Sequence, residues 1–304
     1  MHMTPRHDTY TAQINRVTTY ISTHFMDVLR LDDLARIAGF SPYHFHRIFK
    51  NSAGESLNDF VVRRRLERAV ALMKANRSAS LTNIAVESGF SELSDFSRVF
   101  KQRYGITPSK WDRSTPLQLS KIRQAPSKLP LYTANELDQM EDISEFNVRL
   151  RELPEQTLAY IRVTNAYANP EQIMRAFTDM TSWACTHAPG GTLIGMSEDD
   201  PDVTPPEQCR YDVCMTVPAS TKPEAHISLR TLPACRIAAI HCVGDIARVD
   251  RAWQYLYRHW LPYSGYLPDN IPAMEIYVRT PDEIGWETFD IDCAIAVIPG
   301  EVVM

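Results

Sequence analysis

The sequence predicts two domains: an all-α unit of seven helices built from two helix-turn-helix motifs, then an α+β unit made of two strand-strand-helix-strand-strand halves. Three features predict this: a dense internal repeat in the first part of the chain, a fainter repeat in the second, and a change in the sign of the net charge between them. We place the domains at residues 8–113 and 145–302. Residues 114–144 are assigned as a connector because Pro116, Pro126 and Pro130 interrupt any periodic pattern there.

Length and composition indicate a globular, two-domain protein. The 304 residues are enough for two cores. No apolar run approaches the ~18 residues of a membrane span. The polar start of the chain does not resemble a signal peptide. We therefore expect a cytoplasmic protein that does not bind membranes.

The charge is divided unevenly along the chain. Residues 1–121 carry 18 Lys and Arg against 11 Asp and Glu, whereas residues 122–304 carry 14 against 26. A basic unit joined to an acidic one suggests that only the first contacts a polyanion. Chance segregation of charge is the alternative.

All six cysteines lie in the acidic half, at Cys185, Cys209, Cys214, Cys235, Cys242 and Cys293. No pair is spaced as C-x-x-C, and no histidine pair stands beside them at zinc-ligand spacing. Several lie in apolar runs, where a free cysteine behaves as a small hydrophobic residue. We expect buried thiols in a reducing compartment, with no metal and no cofactor.

The basic half contains one motif twice. Residues 34–41 (LARIAGFS) recur as residues 84–91 (IAVESGFS) at a spacing of 50, and the match resumes at a spacing of 51 until Gly54 and Gly105. Each copy has a short apolar-faced helix and a glycine suited to a left-handed C-cap (Gly39 in the first copy). A residue suited to N-cap a second helix follows, Ser41 in the first copy and Ser91 in the second. The repeat predicts two helix-turn-helix units.

The second helix of each copy has an apolar back and a polar front. Phe45, Ile48 and Phe49 form the back of the first at i, i+3 and i+4, and their equivalents do so in the second. The front carries hydrogen-bonding and cationic side chains, namely Tyr43, His46, Arg47 and Lys50 in the first copy and Ser94, Ser97, Arg98 and Lys101 in the second. This layout is typical of recognition helices.

A long amphipathic helix is predicted between the copies, from about Ser56 to Asn76. About 19 helical residues span about 28 Å. Such a helix can hold two recognition helices roughly 34 Å apart, one turn of B-DNA. Its arginines go round the helix, so we expect packing and ion pairs along it rather than a DNA-binding patch.

From about residue 10 to residue 113 the chain resembles the AraC/XylS family of transcription regulators. The likeness rests on both turns, the linker helix and a closing segment, GITPSKW at 105–111, similar to the family's G-x-[ST]-P-x-x-[WY]. It implies a sequence-specific DNA-binding regulator that enters two adjacent major grooves of double-stranded DNA, with RNA polymerase as a further candidate partner.

In such proteins the front of the first recognition helix usually reads bases, which maps onto Tyr43, His46 and Arg47. Base contact is favoured for Arg47 because arginine bidentate to guanine is the commonest specific contact, and a surface ion pair is the alternative. Phosphate contact is favoured over simple solvation for Lys50, Lys101 and Arg103. Glu92 and Asp95 depart from a basic pattern, so we expect weaker readout by the second helix.

The acidic half also repeats, more faintly. RELP at 151–154 matches RTLP at 230–233, and Asp212 aligns with Asp292 at a spacing of 80. Strands are expected near 158–163, 211–217, 236–243 and 291–298, and helices near 170–187 and 247–261. Two such halves would form a pseudo-symmetric α+β domain with a cleft where they meet.

The candidate site residue is Glu275, within an apolar strand, because its repeat equivalent is Gly195 and the symmetry is thus broken by one carboxylate. A carboxylate there is costly unless a cation or hydrogen-bond donors pair with it. Aromatic neighbours could add cation–π contacts. The alternative is an outward-facing Glu275 in a salt bridge with Arg210 or Arg279.

Residues of about 145–300 resemble the GyrI-like effector-binding domain in IG at 194–195, DDP at 199–201, CRYDV at 209–213 and MEIY at 274–277. In that family a strand glutamate in the cleft commonly engages lipophilic cations, which maps onto Glu275, with Tyr211, Trp253 and Tyr277 as wall aromatics. GDI at 244–246 departs from the family's usual Gly-Pro-Tyr, which puts one wall of the pocket in doubt. The combined architecture resembles the Rob-type subgroup.

The sequence therefore predicts a regulator that responds to a small, lipophilic or cationic effector and is not an enzyme. Two alternatives remain. Some GyrI-like proteins resemble small hydrolases in which a cleft Glu with a Tyr activates water, as Glu275 with Tyr211 or Tyr277 would. In the other alternative, the acidic domain contacts a protein partner and holds no ligand. No other catalytic residues are assigned.

Overall fold

The computed structural model describes residues 5–113, 139, 145–201, 203–224 and 226–300. The prolines on which the predicted connector rests lie outside the described residues. Within residues 5–113 the chain forms six α-helices: α1 Pro5–His24, α2 Leu31–Ala38, α3 Pro42–Ala53, α4 Leu57–Ala75, α5 Leu81–Glu87 and α6 Leu93–Tyr104. A turn at residues 108–110 follows α6. The described residues of the first domain thus contain six α-helices, whereas seven were predicted for residues 8–113.

Capping residues set the helix boundaries much as their residue types predict. Gly39 ends α2 with φ 73°, a left-handed conformation that glycine adopts without steric cost. Ser41 precedes α3, and Pro42 occupies its first position. The prediction for the second copy is wrong by one residue, because Glu92 is the extended residue that precedes α6 and Ser91 lies outside.

The helix α4 belongs to the cores of both helix-turn-helix units. Its Phe60 packs with Phe45 and Phe49 of α3 in the first core. Later residues of α4, including Met73, pack with Phe96 and the other buried aromatics of the second core. Because one helix supplies side chains to both cores, the orientation of the two units is fixed by packing and not by a flexible linker.

The second domain is one curved antiparallel sheet with two long helices. Its elements are β1 Val148–Leu153, β2 Gln156–Thr164, α7 Pro170–His187, β3 Leu193–Ser197, β4 Arg210–Val217, β5 Ser228–Leu232, β6 Cys235–Gly244, α8 Ile246–Gln254, β7 Tyr266–Pro268, β8 Ala273–Arg279, α9 Pro281–Ile284 and β9 Phe289–Pro299. The helix α8 continues as a π-helix over Tyr255–Trp260. The duplicated order of strands and helices is confirmed, with β7 as an addition in the second half.

The strand order is β1-β6-β9-β8-β3-β4-β2-β5, and β7 pairs with β9. The two halves meet at β3 and β8, where Gly195 lies directly opposite Glu275. Each half gives its first strand to the far edge of the other half, since β1 pairs with β6 and β5 pairs with β2. The predicted symmetry axis therefore runs beside the candidate carboxylate.

The helices α7 and α8 pack on one face of the sheet. The side chains on the opposite face form a second core around Tyr160 and Met274. All six cysteines are free thiols, and Cys185 is exposed, unlike the buried position expected for these residues. Cys185 lies on α7, whose solvent face is not part of the core. Among the helices described, none is long and apolar enough to cross a bilayer.

Candidate effector cavity and nucleic-acid interface

The front of α3 is open to solvent. Tyr43 is 82% exposed, and His46, Arg47 and Lys50 are exposed beside it along one shallow depression. Within the part of the chain that the structure describes, neither Arg47 nor Lys50 takes part in an ion pair. The helix therefore presents two uncommitted cations and two aromatic hydrogen-bonding groups on the side opposite its buried phenylalanines.

The front of α6 is partly occupied by its own acidic residues. Arg98 forms an ion pair with Asp95, one turn earlier, at 2.5 Å, and both side chains are exposed. The Ser94 hydroxyl donates to the Glu92 carboxylate at 2.9 Å. Ser97 is half-buried, whereas Lys101 is exposed. A polyanion would have to displace or tolerate these carboxylates, which is not required at α3.

A cavity of about 570 Å³ lies between the two domains. One side consists of α4 residues, including Arg64, Arg68 and Ala71, together with Phe25 from the end of α1. The opposite side consists of residues of the second domain, among them Tyr167, Trp253, Tyr257 and Glu275. A cavity of this size fits a drug-sized molecule.

Glu275 is positioned by the pairing of β8 with β3. It lies on the helix-covered face of the sheet and accepts a hydrogen bond of 2.5 Å from the Tyr211 hydroxyl. A Cβ atom on Gly195 would lie 1.7 Å from that hydroxyl oxygen. The glycine opposite Glu275 thus provides the space through which Tyr211 reaches the carboxylate, which explains the broken symmetry of the repeat.

Burial raises the pKa of Glu275, because the charged form is poorly solvated in the cavity. Hydrogen bonds from Tyr211 and Trp253 oppose this effect. Among the described residues Glu275 has no cation partner. The expected alternative of a salt bridge to Arg210 or Arg279 is wrong, since these residues pair with Asp199 and Asp290.

The predicted aromatic residues occupy different layers. Trp253 lines the cavity, whereas Tyr211 lies behind Glu275 and is 4% exposed. Tyr277 is buried against Phe177, with ring centroids 5.2 Å apart. These two tyrosines support the floor of the cavity and do not line it, because Phe177 of α7 packs against both rings.

Three further aromatic residues line the cavity and were not identified from the sequence: Phe25, Tyr167 and Tyr257. The spacing of Tyr257 four residues after Trp253 on one helix could have indicated it. No sequence signal points to Phe25, which belongs to the other domain. Asp245, in the segment that departs from the family pattern, N-caps α8 by accepting from the Arg248 amide at 2.9 Å.

A buried network of charges joins α4 to the second domain. The Arg63 guanidinium is 3% exposed and donates to Glu55, Glu67 and Asp199 at 2.6–3.0 Å. Arg210 of β4 donates to the same Asp199 at 2.7 and 2.8 Å. These arginines hold the pKa of Asp199 well below its usual range despite its burial.

The network continues beneath α1. Glu198 lies next to Asp199 and pairs with Arg162 and Arg230, which hold its pKa below the usual value. Arg162 also binds Asp212 through two hydrogen bonds of 2.6 and 2.7 Å and donates to Thr18 of α1 at 2.7 Å. The helix-face ion pairs expected for α4 are present, as in Arg64 with Glu67 at 2.5 Å. The contacts across the domains were not predicted.

Taken together, the fold and the sites define a two-domain protein that joins exposed recognition helices to a cavity suited to a small molecule. A family model described as a GyrI-like small molecule binding domain matches residues 146–297, half of the chain. A helix-turn-helix domain model matches residues 34–114. The chain belongs to the AraC-type helix-turn-helix family and carries a C-terminal GyrI-like small-molecule binding domain.

Curated relatives match about a third or more of the chain. The chain is 36% identical over 100 residues to the regulatory protein PocR of Salmonella typhimurium, covering 33% of each chain. It is 31% identical to the probable transcription factor PqrA of Proteus vulgaris, over 32% of this chain and 81% of that protein. It is 32% identical to the transcriptional regulator Rob of Salmonella typhimurium, over 40% of this chain and 42% of Rob. The match thus spans about a third to two fifths of PocR and Rob.

Two solved structures related to EcmrR are also similar. The EcmrR C-terminal domain aligns with 51% of this chain and 99% of that chain at 16% identity, with a TM-score of 0.42. The structure of an EcmrR–DNA complex aligns with 89% of this chain and 100% of that chain at 13% identity, with a TM-score of 0.45.

Proposed function

We propose that this protein is a sequence-specific transcription regulator in which α3 and α6 enter two adjacent major grooves and the GyrI-like domain binds a lipophilic organic cation. The first part is carried by the open front of α3, on which Tyr43, His46, Arg47 and Lys50 share one surface. Its apolar back is fixed to α4, so the front is presented rigidly, as base reading requires.

Two substitutions on α3 separate base reading from phosphate contact. Arg47→Ala should relax sequence preference at one base pair, at a cost of about 1–3 kcal/mol for the preferred site. Lys50→Ala should weaken all sequences about equally and reduce the salt dependence of binding. Footprinting should show two protected major grooves on one face of the duplex. Unchanged sequence preference in Arg47→Ala, or protection of one groove alone, would contradict this assignment.

The effector assignment is carried by Glu275, a carboxylate without a cation partner among the described residues that faces a cavity lined by Trp253 and Tyr257. An aromatic or alkyl cation supplies both the missing charge and the apolar surface. Titration with tetraphenylphosphonium, followed by tryptophan fluorescence, should show saturable quenching. Glu275→Gln should abolish it, while Glu152→Gln, at an exposed carboxylate paired with Arg236, should not.

Regulation requires that the ligand bind one DNA-binding state better than the other, since a ligand with equal affinity for both states does not shift the equilibrium between them. DNA titrations with and without saturating ligand measure this difference. Superimposable curves would contradict coupling. RNA polymerase is the partner that such a regulator would act upon, and in vitro transcription with the ligand present tests that step.

A small-molecule hydrolase is a second candidate, favoured by the 2.5 Å hydrogen bond between Tyr211 and Glu275. A carboxylate with a raised pKa beside a tyrosine can act as a general base towards water. Turnover of a strained electrophile that is lost in Glu275→Gln would establish this activity. Equal rates with the wild-type protein and the variant would exclude it for that substrate.

A further inference from the structure

Glu275 and Arg68 are side chains of opposite charge that line the cavity, one from each domain, and neither forms an ion pair with a described residue. Glu275 contributes the negative charge, as described above. Arg68 of α4 contributes the positive one and also lines the cavity. Its Nη1 donates to the backbone carbonyl of Pro268, whereas its Nε atom is buried without a partner. Among the residues described, Arg68 forms no ion pair.

Arg68 differs in this respect from its neighbours on α4. Arg63 and Arg64 point into the interdomain network and are bound by carboxylates, chiefly Glu67 and Asp199. Burial lowers the pKa of the Arg68 guanidinium by more than Asp269, which also lines the cavity, and Glu87 raise it, and neither carboxylate forms an ion pair with it. The network that joins the domains therefore leaves this arginine without an ion-pair partner among the described residues.

An uncompensated charge at a poorly hydrated site costs free energy that a ligand of opposite charge can recover. Because Glu275 and Arg68 line one cavity, a single molecule with two charged ends can contact both. A simple cation would supply an ion-pair partner for Glu275 but none for Arg68.

From this arrangement we infer that the effector is a dipolar molecule, with a cationic group that binds Glu275 and a carboxylate or comparable acceptor that binds Arg68. The inference rests on the proposed role of Glu275 and extends it. It makes the effector a bridge between the GyrI-like domain and α4, the helix shared by both helix-turn-helix cores. Ligand binding then acts directly on the helix that sets their relative orientation.

The test compares two matched series of probes on the full chain by isothermal titration calorimetry. One series consists of alkyltrimethylammonium ions of increasing chain length. The other consists of ω-trimethylammonio carboxylates of the same lengths, which differ by the terminal carboxylate. At the chain length that spans the cavity, the carboxylate should tighten binding by about tenfold or more.

Three variants assign that gain to Arg68. Arg68→Met should abolish the gain, while the plain cation should still bind at least as tightly as before because a like charge has left the cavity, which also shows that the variant is folded. Arg68→Lys should retain part of it. Arg36→Met is the matched control, because Arg36 lies on α2, pairs with Asp33 at the surface and does not line the cavity. It should retain the gain in full.

The possible failures are distinct. If plain cations bind in a Glu275-dependent manner but no carboxylate probe binds more tightly, the dipolar effector is excluded and the proposed cation site stands. A gain that persists in Arg68→Met likewise excludes it. If neither series binds, the proposed role of Glu275 and the present inference are both overturned.

Discussion

Replacement of Arg63 by methionine should lower the free energy that holds the two domains together. The guanidinium makes four hydrogen bonds of 2.6–3.0 Å to three buried carboxylates. Methionine keeps much of the apolar stem but removes the charge. Asp199 would retain Arg210, and Glu67 would retain Arg64.

Glu55 would lose its ion-pair partner, because it pairs with Arg63, and the Glu55 side chain is only 8% exposed. The variant therefore leaves one nearly buried carboxylate without a counter-charge. Breaking a buried pair from one side costs about 3–5 kcal/mol. Adding Glu55→Gln to the variant removes the stranded charge and should recover about 1–2 kcal/mol of that loss.

Native-state hydrogen exchange of the α4 amides is the suitable assay, because it reports the local opening free energy of a two-domain protein for which one global value is not well defined. Arg36→Met is the control. Its ion pair with Asp33 is exposed, with side chains 78% and 51% accessible, and should contribute at most about 1 kcal/mol. If Arg63→Met costs no more than Arg36→Met, or if Glu55→Gln recovers nothing, the buried ion pairs of Arg63 do not stabilise the domain interface.

Four further predictions concern the two sites. Burial raises the pKa of Glu275 from 4.5, and a cation requires the charged form of its carboxylate. The affinity for lipophilic cations should therefore rise with pH through that raised pKa and stay constant above it. A flat calorimetric pH profile would contradict this. By the same shift, the ionised carboxylate destabilises the ligand-free fold as pH rises through that pKa, so Glu275→Gln should raise the thermal midpoint at pH 8 more than at pH 4. Gly195→Ala should displace Tyr211 and weaken cation binding by about tenfold or more, seen in the same titration, and an unchanged affinity would exclude the required close approach. Asp95→Asn should release Arg98 and tighten DNA binding several-fold at low salt, and an unchanged Kd would mean that α6 does not face phosphate.

Much of the fold was accessible from the sequence because the determining signals are local. Periodic apolar residues, the glycine at position 39 and the proline at position 42 fix where α2 ends and α3 begins. The two internal repeats predicted the duplicated units, since each copy of a supersecondary motif must satisfy the same packing and turn requirements. The boundary at α6 was misplaced by one residue because Glu92 precedes the helix without any side-chain cap, so the N-cap preference of Ser91 did not decide where the helix begins.

The candidate site was accessible only in part. Glu275 was identifiable because the repeat aligns it with Gly195, and the structure places the two directly opposite each other. Which aromatic residues line the cavity and which lie beneath it could not be predicted, because strand alternation does not indicate which side chains a helix will cover. In the structure, Tyr211 and Tyr277 lie beneath the cavity floor, and Tyr167 lines the cavity.

By itself, the sequence determined the recognition helices, the linker helix and the single carboxylate that breaks the repeat, all of which follow from patterns spanning a few turns or one repeat. Only the tertiary structure decided that Arg63 meets Asp199, 136 residues later, and that Arg68 shares a cavity with Glu275. Such contacts depend on how two separately folded surfaces dock. Charges at the interface become partners when docking removes water from between them, and no local pattern specifies which ones will meet.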